Sequence, residues 1–211
     1  MTEATISLFT PITSQPYAWP FDGRWSAGDT ALLLLGFQRA PVAELAAETE
    51  LAAASELLNT ASTLGITIVA VRRGYGPQES PLAARRRALG DTIPKRGSAE
   101  WRFDERLPLP TDAIIVDISG DNAFFSTGLE EELRRRGVRN LLLTGFPTEG
   151  LVHATQRAAN DMGFECMAVA DACKGTSSQR HSAQLRITTF GNGLFGTVAN
   201  SADIHSALKN L

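Results

Sequence analysis

Cysteine, histidine and methionine are scarce in this 211-residue chain, with two, three and three of each. Two cysteines, Cys166 and Cys173, cannot make the disulfide framework of a small secreted domain. Cys166 lies in the apolar run FECMAVA and is expected as a small buried hydrophobe. Cys173, at the end of the same run, is expected to be a buried structural thiol, because no base stands near it in sequence. The histidines, His153, His181 and His205, show no H-x-x-x-H or Asp-x-His spacing, so no metal site is expected. His153 is expected at a surface or an interface. Basic residues are not in excess: 20 Lys and Arg against 23 Asp and Glu leave a net charge of −3. That balance speaks against nucleic-acid and membrane-surface partners, which call for a basic face. The one basic run, Arg85-Arg86-Arg87, reads as a solvated or subunit-contact rim. No apolar run approaches the ~20 residues of a membrane span. Met1 to Ile12 lacks a basic start followed by an apolar stretch, so the expected address is cytoplasmic. There is no G-x-S-x-G elbow and no phosphate-cradling glycine motif, and no cofactor is expected.

What is present is an alternation. The runs Thr30–Phe37, Ile66–Arg72, Asp112–Ile118, Asn140–Gly145 and Glu165–Ala170 are continuously apolar, as central parallel strands covered on both faces must be. Gly193–Val198 is a weaker sixth. Helical patterns separate them: Glu44–Leu64 with a leucine stripe, a segment capped at Ser126 or Thr127 and stopped at Gly137, Gly150–Met162, Thr176–Phe190 and Ser201–Leu211. Strand and helix in turn predict right-handed crossovers and a three-layer α/β/α sandwich, Rossmann-like, around a mostly parallel six-stranded sheet. Residues 1–29 form an aromatic arm. Its Tyr17, Trp19, Phe21 and Trp25 are too many rings to leave in water. Residues 30–211 form one domain, with a long connection at 73–110.

In an open α/β sheet, ligands bind beyond the carboxyl ends of the strands. The segments there, among them TALLLLGFQRA, VDISGDNAFFSTGLEEELRRRGVRNLLLTG and TGFPTEGLVHATQRAANDMGFECMAVADAC, resemble the isochorismatase-like cysteine hydrolases. The nearest branch is the biuret and ureidoacrylate amidohydrolase type, and the likeness runs from about Tyr17 to the C-terminus. The resemblance implies an Asp ending the first strand, a Lys after the third and a nucleophilic Cys opening the helix after the fourth. The matching residues here are Gly36, Ile118 and Leu151. The thiol attack of the family needs an acid, a cation and a thiol, and these three supply none. The resemblance also implies a cis peptide between Phe146 and Pro147. A proline in second position lowers the cost of cis from about 3 to under about 1 kcal/mol.

The former pocket is therefore expected to include Phe37, Gln38, Phe146, Pro147, Thr148 and Glu149, and to be greasy, with Ile118 and Leu151 lining it. Candidate replacement groups are Asp117, Asp121, Glu149 and Arg39. The expected function is that of a family member without hydrolase activity, serving as a binding, regulatory or structural subunit. The competing expectation is a C–N (amide or ureide) hydrolase with a displaced catalytic set. Expected partners are a small-molecule ligand and copies of itself in a homo-oligomer, or an active relative in a hetero-oligomer.

Overall fold

The apolar runs become strands because each can be covered from above and below. The computed structural model describes residues 8–76, 81–90 and 93–209. Its sheet has the order β3-β2-β1-β4-β5-β6 and every pairing is parallel. The strands are β1 (Thr30–Leu35), β2 (Thr67–Arg73), β3 (Ile114–Ile118), β4 (Asn140–Gly145), β5 (Glu165–Cys173) and β6 (Thr197–Ala199). Every residue of β1 and β4 is buried, which explains why neither shows the polar–apolar alternation of a half-exposed strand.

The main helices are α1 (Arg39–Glu44), α2 (Glu48–Leu64), α3 (Pro81–Ala88), α4 (Leu129–Arg135), α5 (His153–Asp161), α6 (Ser178–Thr188), a kinked four-residue α7 (Phe190–Gly193) and α8 (Ser201–Leu208). Alternate residues of each strand feed two cores. Leu32, Leu34, Leu142 and Met167 pack with α2, α8 and the arm residues Ile12, Trp19 and Trp25. Leu33, Leu35, Leu141 and Leu143 pack with Leu129, Leu133 and Ala159 on the other side. The arm thus packs on the domain itself.

The helix expected over Glu44–Leu64 is two helices. The Ala47 N–H returns to the Val42 carbonyl at 2.9 Å and Ala46 sits at φ +48. This is a left-handed helix stop in which alanine takes the place usual for glycine. The break turns Leu45 toward the ends of the strands. In the 73–110 connection, α3 is a helix that the sequence pattern does not announce, since Ala83 is its one buried residue. The sixth strand begins at Thr197 because Gly191, Asn192, Gly193 and Gly196 all have positive φ. The cap of α4 falls on Gly128 instead of Ser126 or Thr127, with Ser126 itself left-handed at φ +56. Among the described residues no helix is long and apolar enough to cross a membrane.

Candidate functional site

Three chain segments meet at the carboxyl end of the sheet centre. Gly36 follows β1 and its N–H bonds the Val71 carbonyl at 3.0 Å; Phe146 follows β4 and its N–H bonds the Leu35 carbonyl at 2.9 Å. The Phe146–Pro147 peptide is cis. Thr148–Val152 then makes one wide turn of π-helix before α5, so Leu151 hangs back over Gly36. A Cβ on Gly36 would lie 2.8 Å from the Phe146 carbonyl oxygen and 3.3 Å from Leu151 Cδ2, and the glycine is at φ +78. The backbone conformation and the space both suit glycine here.

Above this floor is a cavity of about 250 Å³, with Gly36, Phe146, Pro147 and Leu151 on one side and Leu45 and Pro94 on the other. Among the described residues Glu44 and Arg73 are the charged ones in its wall. Arg73 is engaged with Asp121, which also takes Arg86 from α3. Burial acts to raise the Asp121 carboxyl, but the Arg86 hydrogen bond and the Arg73 and Arg86 charges outweigh it and hold the group below its ordinary value. Asp121 is thus a tie between β2, the β3–α4 loop and α3. Gln38 reaches the cavity wall yet its amide is spent on structure. It accepts from the Arg73 N–H at 2.7 Å and donates to the carbonyls of Arg73 and Trp101 at 2.9 and 3.0 Å.

The remaining expected pocket residues turn elsewhere. Phe37 is fully buried on the α2 side and meets the Phe146 ring edge-on at 4.5 Å. Ile118 is buried in the opposite core with Leu151 and is absent from the cavity wall. Alternation along β3 decides this: neighbouring side chains on a strand point to opposite faces, so Asp117 faces out and pairs with Arg72 at 2.8 Å. The Arg72 guanidinium in turn lies 3.6 Å from the Trp101 ring centroid. Arg39 pairs with Glu105 at the surface. Thr148 and Glu149 point toward β5 and α6. Thr148 Oγ1 and His181 Nδ1 share a hydrogen bond of 2.8 Å, and Glu149 Oε1 accepts from the Thr176 N–H at 3.0 Å.

The Thr148–His181 pair is a hydroxyl beside a base that linear spacing conceals, since 33 residues separate the two. Thr148 is 1 % exposed and lies in the wall of neither cavity described here. His153, expected at a surface or an interface, is half-buried and bonded to the Gln184 amide at 2.6 Å. Burial lowers the pKa of His181; burial, then the Arg157 charge, lowers that of His153. Both cysteines are buried free thiols. Burial pushes Cys173 up to about 12 and moves Cys166 in the same direction. Among the described residues no group of three or more His, Cys, Asp or Glu side chains is arranged to hold a metal ion.

A second cavity of about 530 Å³ opens beyond β5 and shares Glu44, Leu45 and Thr176 with the first. Its own polar groups include Glu50, Asp171, Lys174 and His181.

Comparison with known proteins agrees with this architecture. The isochorismatase domain model matches residues 30–203, and the chain belongs to the isochorismatase family. The ureidoacrylate amidohydrolase RutB of Stutzerimonas stutzeri is 26% identical over 204 residues, covering 82% of this chain and 80% of that one. The uncharacterized isochorismatase family protein YecD of Escherichia coli O157:H7 is 32% identical over 102 residues, covering 48% of this chain and 51% of its own. This chain therefore spans about half the length of that relative. Among solved structures, a cysteine hydrolase from Pseudomonas syringae pv. phaseolicola superposes with a TM-score of 0.79 at 19% identity, covering 100% of this chain and 99% of that one. N-carbamoylsarcosine amidase from Thermoplasma acidophilum gives 0.70 at 18%, covering 82% and 96%. At such identities these likenesses concern the fold.

Proposed function

We propose that this isochorismatase-family chain is a non-hydrolytic member that binds a small, largely apolar molecule at the carboxyl end of its sheet. One observation carries the reading: Gly36 and Leu151 close over each other at the floor of a cavity of about 250 Å³. In relatives of the amidohydrolase type, the resemblance assigns those positions to a carboxylate and a thiol. A thiol attack needs an ionisable sulfur next to a base. Cys166 and Cys173 are deeply buried and shifted away from the thiolate.

A cavity of this size suits a compact ligand, since an engineered apolar cavity of about 150 Å³ takes benzene. Assembly as a homo-oligomer, or with an active relative, belongs to the same proposal, as does a cytoplasmic setting.

A second reading, a C–N hydrolase with a displaced set, draws on the Thr148–His181 pair. Against it stands the burial of the Thr148 hydroxyl. The experiment that separates the two is ammonia release from ureido acids, biuret and primary amides by the purified protein, run beside Thr148→Val and His181→Gln. Silence in all three supports the binding reading. Turnover that disappears in His181→Gln overturns it.

A further inference from the structure

We propose that the cavity over Gly36 and Leu151 and its neighbour beyond β5 act as one two-part site for an amphipathic amine, a flat apolar head joined to a protonated nitrogen. The inference rests on the binding reading above and names the ligand class. The two cavities share a wall: Glu44, Leu45 and Thr176 belong to both. Leu45 stands there because α1 and α2 are broken at Ala46. One molecule lying across this saddle would meet two unlike surroundings.

On the first side Arg73 and Gln38 also reach the wall, but Arg73 is tied to Asp121 and the Gln38 amide to backbone, so Leu45, Phe146, Pro147 and Leu151 offer an aromatic head chiefly dispersion and burial. On the second side the groups are ionic. Among the described residues Glu44, Glu50 and Asp171 line it, with the Lys174 ammonium and the His181 imidazole. Immediately behind Thr176 stand Glu149, bonded to its N–H at 3.0 Å, and Arg180, bonded to its hydroxyl at 2.7 Å. Among the described residues three carboxylates and one ammonium thus line the cavity, and one further carboxylate and one guanidinium stand behind its wall. The starts of α6 and α8 contribute roughly half a positive charge each, so the balance stays negative.

Much of this charge is already committed. Lys174 Nζ donates to the Ala46 carbonyl at 2.8 Å and to Glu50 at 3.3 Å, and Asp171 accepts from the Ser201 N–H at 2.8 Å. Glu149 Oε2 is buried without a hydrogen-bond partner. Glycine at 175 leaves room for it: a Cβ there would come within 2.7 Å of it. The other oxygen, Oε1, accepts from the Thr176 N–H and hydroxyl, which holds the carboxylate and its negative charge directly behind the Thr176 wall of the second cavity. A cation is the occupant such a wall attracts, and the apolar compartment next door requires that cation to carry a hydrophobic head.

The test is a titration of isotopically labelled protein with phenethylamine, phenethyl alcohol and hydrocinnamate at neutral pH, read by amide shifts and calorimetry. The amine should move the amides of Gly36 and Leu151 together with those of Lys174, Gly175 and Ser178. It should bind about tenfold tighter than the alcohol, with the carboxylate weakest. Glu50→Gln should bring the amine down to the alcohol's affinity and leave the alcohol unchanged. Glu44→Gln, at an exposed side chain, should narrow the gap even if Glu50→Gln disturbs Lys174. Equal affinity of amine and alcohol, with shifts confined to Gly36 and Leu151, would overturn the two-part site and leave the binding cavity standing. A preference for the amine that survives both substitutions also overturns it. If no probe moves Gly36 or Leu151, the binding reading falls and takes this inference with it.

Discussion

Gly36 and Leu151 exclude a larger partner for one another: a single added carbon on Gly36 would lie 3.3 Å from Leu151 Cδ2 and 2.8 Å from the Phe146 carbonyl oxygen. The position is also at φ +78. Placing a carboxylate on this strand end is therefore a backbone problem as well as a chemical one.

A comparison of two glycines measures this. Gly65 has nearly the same φ, +77, with nothing within 4 Å of its added carbon. Gly65→Ala should cost about 1–2 kcal/mol for the left-handed backbone alone. Gly36→Ala should cost that and about 1–3 kcal/mol more for crowding. Urea midpoints with unchanged slopes are the readout. Equal losses would mean that Phe146 yields freely and that the position accepts a side chain.

Gln38 offers a second test. It is fully buried and its three hydrogen bonds join the end of β2 to the segment around Trp101. Gln38→Leu keeps the volume but strands an N–H and two carbonyls, each costing of the order of 1 kcal/mol or more. The expected loss is about 2–4 kcal/mol by chemical denaturation, with faster hydrogen exchange at Tyr75 and Arg96. A neutral outcome would mean that water replaces the amide.

The thiols give a third. Cys166 and Cys173 should be silent to Ellman's reagent in the folded protein and both should react after denaturation. Rapid reaction of either one under native conditions would contradict their burial and reopen a thiol mechanism.

The histidines set a pH dependence. His153 and His181 have pKa values below the unfolded value of about 6.5, chiefly through burial. The unfolded chain thus takes up protons first, and stability rises with pH across that interval. Tm should be flat above about pH 7 and fall as pH drops below about 6.5. Carboxylates held low, such as Asp121 and Asp29, contribute a separate loss only further into acid, beginning near the ordinary carboxylate value of about 4. The double variant His153→Gln, His181→Gln should flatten the upper phase and leave the lower one. An unchanged upper phase would assign it to other groups.

The sheet was legible because β1 and β4 are buried on both faces and so are written as unbroken apolar runs. The site was legible only at its backbone. Gly36, Phe146, Pro147 and Leu151 fall together because the neighbouring strands β1 and β4 end at the same edge of the sheet, a matter of topology. Ile118 faces the other core, although the parity of β3 relative to Asp117 could have indicated which of the two lay outward. Thr148 and Glu149 turn toward α6 because of the wide turn that opens α5, and local spacing carries no trace of that. Helix α3 escaped notice because a helix with one buried alanine has no apolar period. Ala46 hid a helix break in the residue type best suited to continuing a helix.

The aromatic arm bears on where this protein can be cut. The family match begins at residue 30, yet Trp19 and Trp25 are fully buried in the same core as Leu32 and Leu34. Gln15 exchanges backbone hydrogen bonds of 2.9 Å in both directions with Val198 on the outermost strand, and Arg139 reaches back to Asp22 at 2.7 Å and Asp29 at 3.0 Å. The start of the family match and the boundary of the packed core are thus different places. A chain begun at Thr30 would keep the whole stretch matched by the family model and still lack the arm that fills part of its core. Its bared strand β6 would present unpaired amides and carbonyls to other molecules, and filament or precipitate would be the result.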